Sequence, residues 1–150
     1  MKLWVLRHGE AEPYGSRPDS ERELTEHGRK EALSSAARLM GKPLTAIYAS
    51  PYLRAQQTAQ IVREALGFEP EIRTVEWLTP ETDPDKVTDQ LVSVSNVLLV
   101  SHNPLVGNLL SYLQHGAGYP PEKVSTAGLA ELESPELLIG SMKLNSLKHP

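Results

Sequence analysis

The sequence predicts an α/β fold: a mainly parallel central sheet flanked by helices, with an antiparallel edge. Three observations predict it. Two apolar runs, Leu3-Trp4-Val5-Leu6 and Val97-Leu98-Leu99-Val100, lack the alternation that one wet face would impose, so both read as strands buried on two faces. Strand and helix signals alternate through residue 113 and strand signals dominate afterwards. The chain has 150 residues, the size of one domain that buries roughly two-thirds of the surface its unfolded form exposes, so residues 1–150 are read as a single domain.

Taken in order, the first strand spans residues 3–6 and ends in Arg7, His8 and Gly9. Residues 10–23 are polar and broken by Pro13, Gly15 and Pro18, which predicts a long loop leaving the strand end that carries His8. Thr25 can cap a helix that uses Ala32, Leu33, Ala36, Ala37, Leu39 and Met40 before Gly41 and Pro43 stop it. Residues 45–49 read as a second strand. Ser50-Pro51 reads as a cap followed by proline at the first helical position, and the helix it opens runs to Gly67 with Arg54 in its first turn.

Residues 71–75 form a weaker strand, followed by Glu76-Trp77-Leu78 and a turn-rich stretch. Asp83-Pro84 can begin a short helix to about residue 94. The second buried run occupies residues 96–100 and ends in Ser101-His102-Asn103-Pro104, from which a helix continues to about residue 113. Residues 119–122 are loop. Residues 128–133 alternate enough for a strand with one exposed face, and residues 141–147 read as an edge strand or tail.

Composition narrows the function. With 39% hydrophobic and 23% charged residues and no apolar run near the roughly 20 residues of a membrane span, no membrane partner is expected. The first apolar run is shorter than the ~7–15 residues of a secretion signal core and Arg7 interrupts it, so a cytoplasmic protein is expected. The absence of cysteine excludes disulfides, thiolate nucleophiles and cysteine-held metals. A net charge of -4 argues against general nucleic-acid binding, which needs a basic surface.

Both buried runs end in a histidine. If the two strands are parallel neighbours, His8 and His102 emerge on one edge of the sheet, where α/β folds bind ligands. Arg54 joins them from a helix start, which attracts anions through its free N–H groups. Arg7 and Arg54 supply planar, permanently charged donors suited to phosphate, and a neutral imidazole beside them can attack phosphorus. Phosphate or sulfate is therefore the expected occupant. Two histidines could also hold a metal, and His8-Gly9-Glu10 matches the start of a zinc-deaminase signature, but its cysteines are missing and Arg7 would repel a divalent cation. No metal and no cofactor are expected.

Three stretches resemble, in order, the signatures of the histidine phosphatase superfamily: Arg7-His8-Gly9, Ser50-Pro51-Tyr52-Leu53-Arg54-Ala55-Gln56-Gln57-Thr58-Ala59, and Ser101-His102-Asn103-Pro104. Residues 19–28 and 125–132 are similar to its compact SixA-type phosphohistidine phosphatases. The resemblance implies a phosphoglycerate mutase-like fold, His8 as the phosphorylated nucleophile, and Arg7, Arg54 and His102 as the rest of the phosphate pocket. It also implies a catalytic acid on a loop after the second signature, where Glu76 stands; a surface carboxylate near a strand end is the plainer reading of that residue. Glu10-Ala11 after Arg7-His8-Gly9 departs from the mutase pattern.

A chain this short, without the insertions that close over small substrates, is expected to keep an open pocket and to act as a monomer on a phosphorylated protein. Phosphohistidine also asks less of the acid than an ester does, because its ring can be protonated near neutral pH and leave as neutral imidazole. The alternatives are a small-molecule phosphomonoesterase with the same mechanism and a non-catalytic phosphate-binding module. His27, His115 and His149 read as surface, capping and tail residues, and Trp4 and Trp77 as core or pocket-wall packing.

Overall fold

The computed structural model describes residues 1–150. Six strands, β1 (Lys2–Arg7), β2 (Ala46–Ala49), β3 (Arg73–Thr74), β4 (Val97–Ser101), β5 (Leu129–Glu133) and β6 (Lys143–Lys148), form one sheet in the order β3-β2-β4-β1-β5-β6. The strands from β3 to β1 are parallel, and β5 and β6 add an antiparallel edge. The helices are α1 (Glu26–Ala37), α2 (Leu53–Leu66), α3 (Pro84–Gln90) and α4 (Leu105–His115).

The continuous apolar runs are explained by two cores. Leu3 and Val5 face a cluster with Leu99 and with Leu105, Leu109 and Leu110 of α4, while Trp4 and Leu6 face a second cluster with Ile47, Leu98 and Ala55, Ala59 and Val62 of α2. Each strand residue is therefore buried whichever way its side chain points, and a large one contributes about 1.5–3 kcal/mol by leaving water. That burial fixes β1 and β4 as rigid central strands, and the residues just past their C-terminal ends inherit the rigidity.

Local chemistry sets most helix ends. The Thr25 hydroxyl accepts from the Gly28 N–H at 3.0 Å and starts α1, and Gly67 closes α2 in the left-handed conformation at φ 63°. Several expected bounds differ. The helix expected to reach Met40 ends at Ala37, where the Arg38 N–H turns back to the Ser35 carbonyl, and Leu39 enters the second core from a turn instead. Ser50 is not a helix cap: α2 begins at Leu53, and the Ser50 hydroxyl serves a histidine. The strand expected over residues 71–75 contracts to Arg73–Thr74, because β2 offers it only Tyr48 and Ala49. The short helix from Pro84 stops at Gln90, where Leu91 drops into the first core.

Candidate active site

β1 and β4 pair in parallel with Arg7 opposite Ser101, so His8 and His102 leave adjacent strands at the same height. The His8 N–H still donates to the Ser101 carbonyl at 3.0 Å, which extends the ladder one residue past the strand. The two imidazoles meet edge to face with centroids 5.0 Å apart, His8 being 7% exposed and His102 1%. Arg54, at the second position of α2, donates from Nε to His8 Nε2 at 3.3 Å. Arg7 lies half-buried beside them, its Nη1 donating to the Val124 carbonyl at 2.9 Å. Four residues from three separate stretches of the sequence thus share one rim of the sheet.

Close backbone packing holds this rim. A Cβ at Gly9 would overlap the Gly28 carbonyl and a Cβ at Gly28 would overlap the Glu10 carbonyl, so glycine at both positions lets the turn after β1 lie directly on the start of α1. Thr58, one turn after Arg54, accepts from the Gly9 N–H at 3.1 Å and donates to the Arg54 carbonyl at 2.8 Å, tying that turn to α2. The Ala127 N–H reaches the His8 carbonyl at 2.9 Å from the far side. The His8 backbone is thereby bonded to two separate segments.

Hydrogen bonds assign each ring a tautomer. His8 Nδ1 lies 2.7 Å from the Gly9 carbonyl and must donate to it, which leaves the Nε2 lone pair facing Arg54. Ser50 Oγ accepts from the Tyr52 N–H at 3.3 Å and lies 2.7 Å from His102 Nε2; when the hydroxyl gives its proton to that nitrogen, Nδ1 of His102 carries the ring's own proton. Of the three buried side-chain polar atoms with no partner within the protein, two belong to this cluster, His102 Nδ1 and Arg7 Nε; the third is Ser111 Oγ on α4. Buried donors of this kind need an acceptor, and a tetrahedral anion seated among the rings would supply one.

The electrostatics keep both rings neutral. Burial pushes His8 down to about 3; the Gly9 carbonyl pulls it up next most strongly, and the charges of Arg54, Arg7 and Arg22 add to the downward push. Burial, then His8 and the same three arginines, pushes His102 down to about 2. A neutral His8 is a nucleophile at neutral pH without any base to deprotonate it.

Sequence reasoning misses four residues here. Ser50 reads as a cap, and Thr58 looks like any mid-helix threonine. Asp19 and Arg22 lie in the polar 10–23 segment, which folds back over the cluster through a short 3-10 turn at Asp19–Glu21. Arg54 Nη1 donates to the Asp19 carbonyl at 2.7 Å and Nη2 to its carboxylate at 3.4 Å; Arg22 Nε holds the other carboxylate oxygen at 2.9 Å. Arg22 is only 6% exposed, and the Tyr14 ring lies 4.0 Å from its guanidinium carbon. The available signals are the similarity of residues 19–28 to SixA-type phosphatases and the Asp19–Arg22 spacing in a loop rooted beside His8. The segment thus lies against Arg54 at one side of the cluster.

Glu76 opens a 3-10 turn at Glu76–Leu78 that is fixed to the same rim, Val75 N–H donating to Ala49 at 3.0 Å and Ser101 Oγ to Leu78 at 2.6 Å. Its side chain is exposed and makes no hydrogen bond or ion pair with the four clustered residues. Trp4 is buried core and Trp77 packs against Tyr48. His27 pairs with Glu31 on the surface, His115 ends α4 and His149 bonds Ser125, all outside the cluster.

Comparison with known proteins shows the family and the fold. Residues 3–78 match the family model of the histidine phosphatase superfamily (branch 1). A phosphohistidine phosphatase SixA homolog of Haemophilus influenzae is 35% identical over 127 residues, covering 75% of this chain and 77% of that protein. The phosphohistidine phosphatase SixA of Escherichia coli is 32% identical over 139 residues, covering 88% and 84%. The solved structure of the protein histidine phosphatase SixA complexed with tungstate superposes with a TM-score of 0.87 at 31% identity, over 99% of this chain and 97% of that one.

Proposed function

Because this chain belongs to the histidine phosphatase superfamily, we propose that it hydrolyses phosphohistidine on a protein, such as a phosphotransfer domain, through a covalent intermediate on His8. The observation that carries this reading is the pair of buried nitrogens, His102 Nδ1 and Arg7 Nε, left without protein partners beside His8 Nε2, whose lone pair meets only a long 3.3 Å contact from Arg54 Nε. A phosphoryl group satisfies both donors and meets the lone pair.

In the first step the His8 Nε2 lone pair forms a bond to phosphorus as the substrate's phosphorus–nitrogen bond breaks, and that electron pair returns to the leaving imidazole. Arg7, Arg54 and His102 bear the charge on the equatorial oxygens, and the Nδ1–H bond to Gly9 spreads the positive charge that His8 acquires. Water then attacks phosphorus, the bond to Nε2 breaks, and dihydrogen phosphate departs while His8 regains its neutral form. No step needs a metal, because the guanidiniums and His102 supply the electrostatic stabilisation a cation would otherwise give.

Glu76 is assigned as the acid for substrates whose leaving group needs a proton. Its exposed carboxylate on the same rim favours a second reading, a small phosphomonoester as substrate with His8 chemistry unchanged.

Incubation with a phosphorylated histidine phosphotransfer domain and, separately, with aryl and sugar phosphates tests these readings. Acid-labile, alkali-stable phosphate is expected on the parent protein and not on His8→Ala. Preference for the phosphoprotein supports the first reading and preference for a sugar phosphate the second. Oxyanion binding without turnover in the parent would overturn both in favour of a binding module.

A further inference from the structure

The segment folded over the cluster brings a carboxylate into a pocket built for an anion. Asp19 sits between two guanidiniums, Arg22 Nε at 2.9 Å on one oxygen and Arg54 Nη2 at 3.4 Å on the other, while its side chain stays 45% exposed at the edge of the arginine–histidine cluster. Its backbone carbonyl holds Arg54 Nη1 at 2.7 Å, so Arg54 stays anchored to this segment even when the carboxylate moves. The long Nη2 contact is the weak member of the set, and a phosphoryl oxygen outcompetes it.

Resting on the phosphohistidine reading above, we infer that Asp19 is a specificity-determining residue, whose carboxylate accepts the proton-bearing far nitrogen of the leaving imidazole while the phosphorus–nitrogen bond breaks. A phosphohistidine ring protonated at the nitrogen remote from phosphorus is the form that leaves easily. It carries its own proton, takes back the bonding pair at the nitrogen released from phosphorus, and departs as neutral imidazole. An ionised carboxylate favours that protonated ring and therefore the reactive form.

Asp19 is suited to this and unsuited to serving as an acid. Burial raises its pKa, but the bonds and charges of Arg22 and Arg54 outweigh that and hold it below the ordinary carboxylate value. It has no proton to give an alkoxide. The charged groups that act on it are Arg54 from α2 and Arg22 from its own segment, and His8, on the far side of Arg54, is neutral. The only group near it that gains from a negative charge, beyond the two arginines, is a cationic leaving ring. A carboxylate in this place thus discriminates phosphoramidates from phosphate esters, whose leaving oxygen brings no proton.

The test compares kcat/KM for a phosphohistidine-bearing protein with that for p-nitrophenyl phosphate, whose phenolate leaves unprotonated, in the parent, Asp19→Asn and Asp19→Glu. The ratio of the two is independent of how much variant is folded. It is expected to fall by about tenfold or more in Asp19→Asn, chiefly through kcat, the scale of one charge-assisted hydrogen bond, and to recover in part in Asp19→Glu. Equal losses on both substrates, the mark of a residue that merely holds Arg54, would overturn the inference, as would an unchanged ratio. A parent that turns over the aryl phosphate but not phosphohistidine would instead overturn the phosphohistidine reading, and the inference would fall with it.

Discussion

The C-terminal ends of β1 and β4 place the same side chain at the same height on neighbouring parallel strands, yet the two imidazoles present opposite faces to the pocket. At the end of β1 a backbone carbonyl takes the Nδ1 proton of His8 and leaves a lone pair. At the end of β4 the Ser50 hydroxyl lies 2.7 Å from Nε2 of His102, and a proton given there leaves Nδ1 as an N–H. Both rings are neutral for the same reason, burial among arginines. The division into nucleophile and hydrogen-bond donor therefore does not come from the histidines or from the sheet, but from one partner behind each ring.

Removing each ring in turn separates the two roles most directly. His8→Ala takes away the bond-forming atom and is expected to lower turnover on the order of 10³-fold or more, with no trapped phosphoenzyme. His102→Ala removes one donor to the equatorial oxygens and should cost about 10²-fold while a phosphoenzyme still forms. Rapid quench with a labelled phosphodonor reads both. Similar losses with no phosphoenzyme in either variant would mean that the two rings act as a unit.

The asymmetry is invisible in the sequence although its setting is legible. Leu3 to Leu6 and Val97 to Val100 announce doubly buried strands by their lack of alternation, and the parallel pairing that unites His8 with His102 comes from them. Thr25 and Gly67 announce helix ends because capping is local chemistry. Ser50 misleads for the same reason: Ser-Pro is good local cap chemistry, but a tertiary partner, the His102 ring, claims the hydroxyl and α2 starts later. Asp19 and Arg22 lie in a stretch with no periodicity, so local pattern alone does not show that the segment returns to Arg54. The weak strand near residue 73 and the early end of α1 also depend on what the neighbouring elements leave free.

What the rings share is open to a separate test in stability. Each is neutral when folded, whereas in the unfolded chain each takes up a proton below its ordinary value of 6.5. The unfolded state thus binds more protons, and stability that is intact above pH 6.5 is lost as pH falls toward about 3 for His8 and about 2 for His102. The slope within that window is about 1.4 kcal/mol per pH unit for each ring. Denaturant unfolding of the parent between pH 6 and pH 5 should display this loss, and His8→Asn should remove close to half of the part due to the two rings. A variant whose pH dependence matches the parent's would mean that His8 protonates as readily folded as unfolded.

A subtler substitution isolates the tautomer itself. Ser50→Ala deletes the proton given to His102 Nε2 but leaves both rings, both arginines and the strand register in place. Nδ1 then no longer has to carry the ring's proton, and a fraction of His102 would turn a lone pair toward the phosphoryl oxygens and repel them. Turnover should fall by about five- to tenfold, consistent with losing one neutral hydrogen bond of about 1 kcal/mol that fixes a ring. The fall should lie in steps that stabilise the phosphoryl group, with His8 still phosphorylated. Ser50→Thr keeps the hydroxyl and should recover most of the rate. Nitrogen-15 chemical shifts of His102 would then read the proton on Nδ1 in the parent and in Ser50→Thr, and a mixture in Ser50→Ala. A parent with the proton on Nε2 would remove the distinction between the two strand ends, because Ser50 would then accept from the ring and His102 could offer the phosphoryl group no donor.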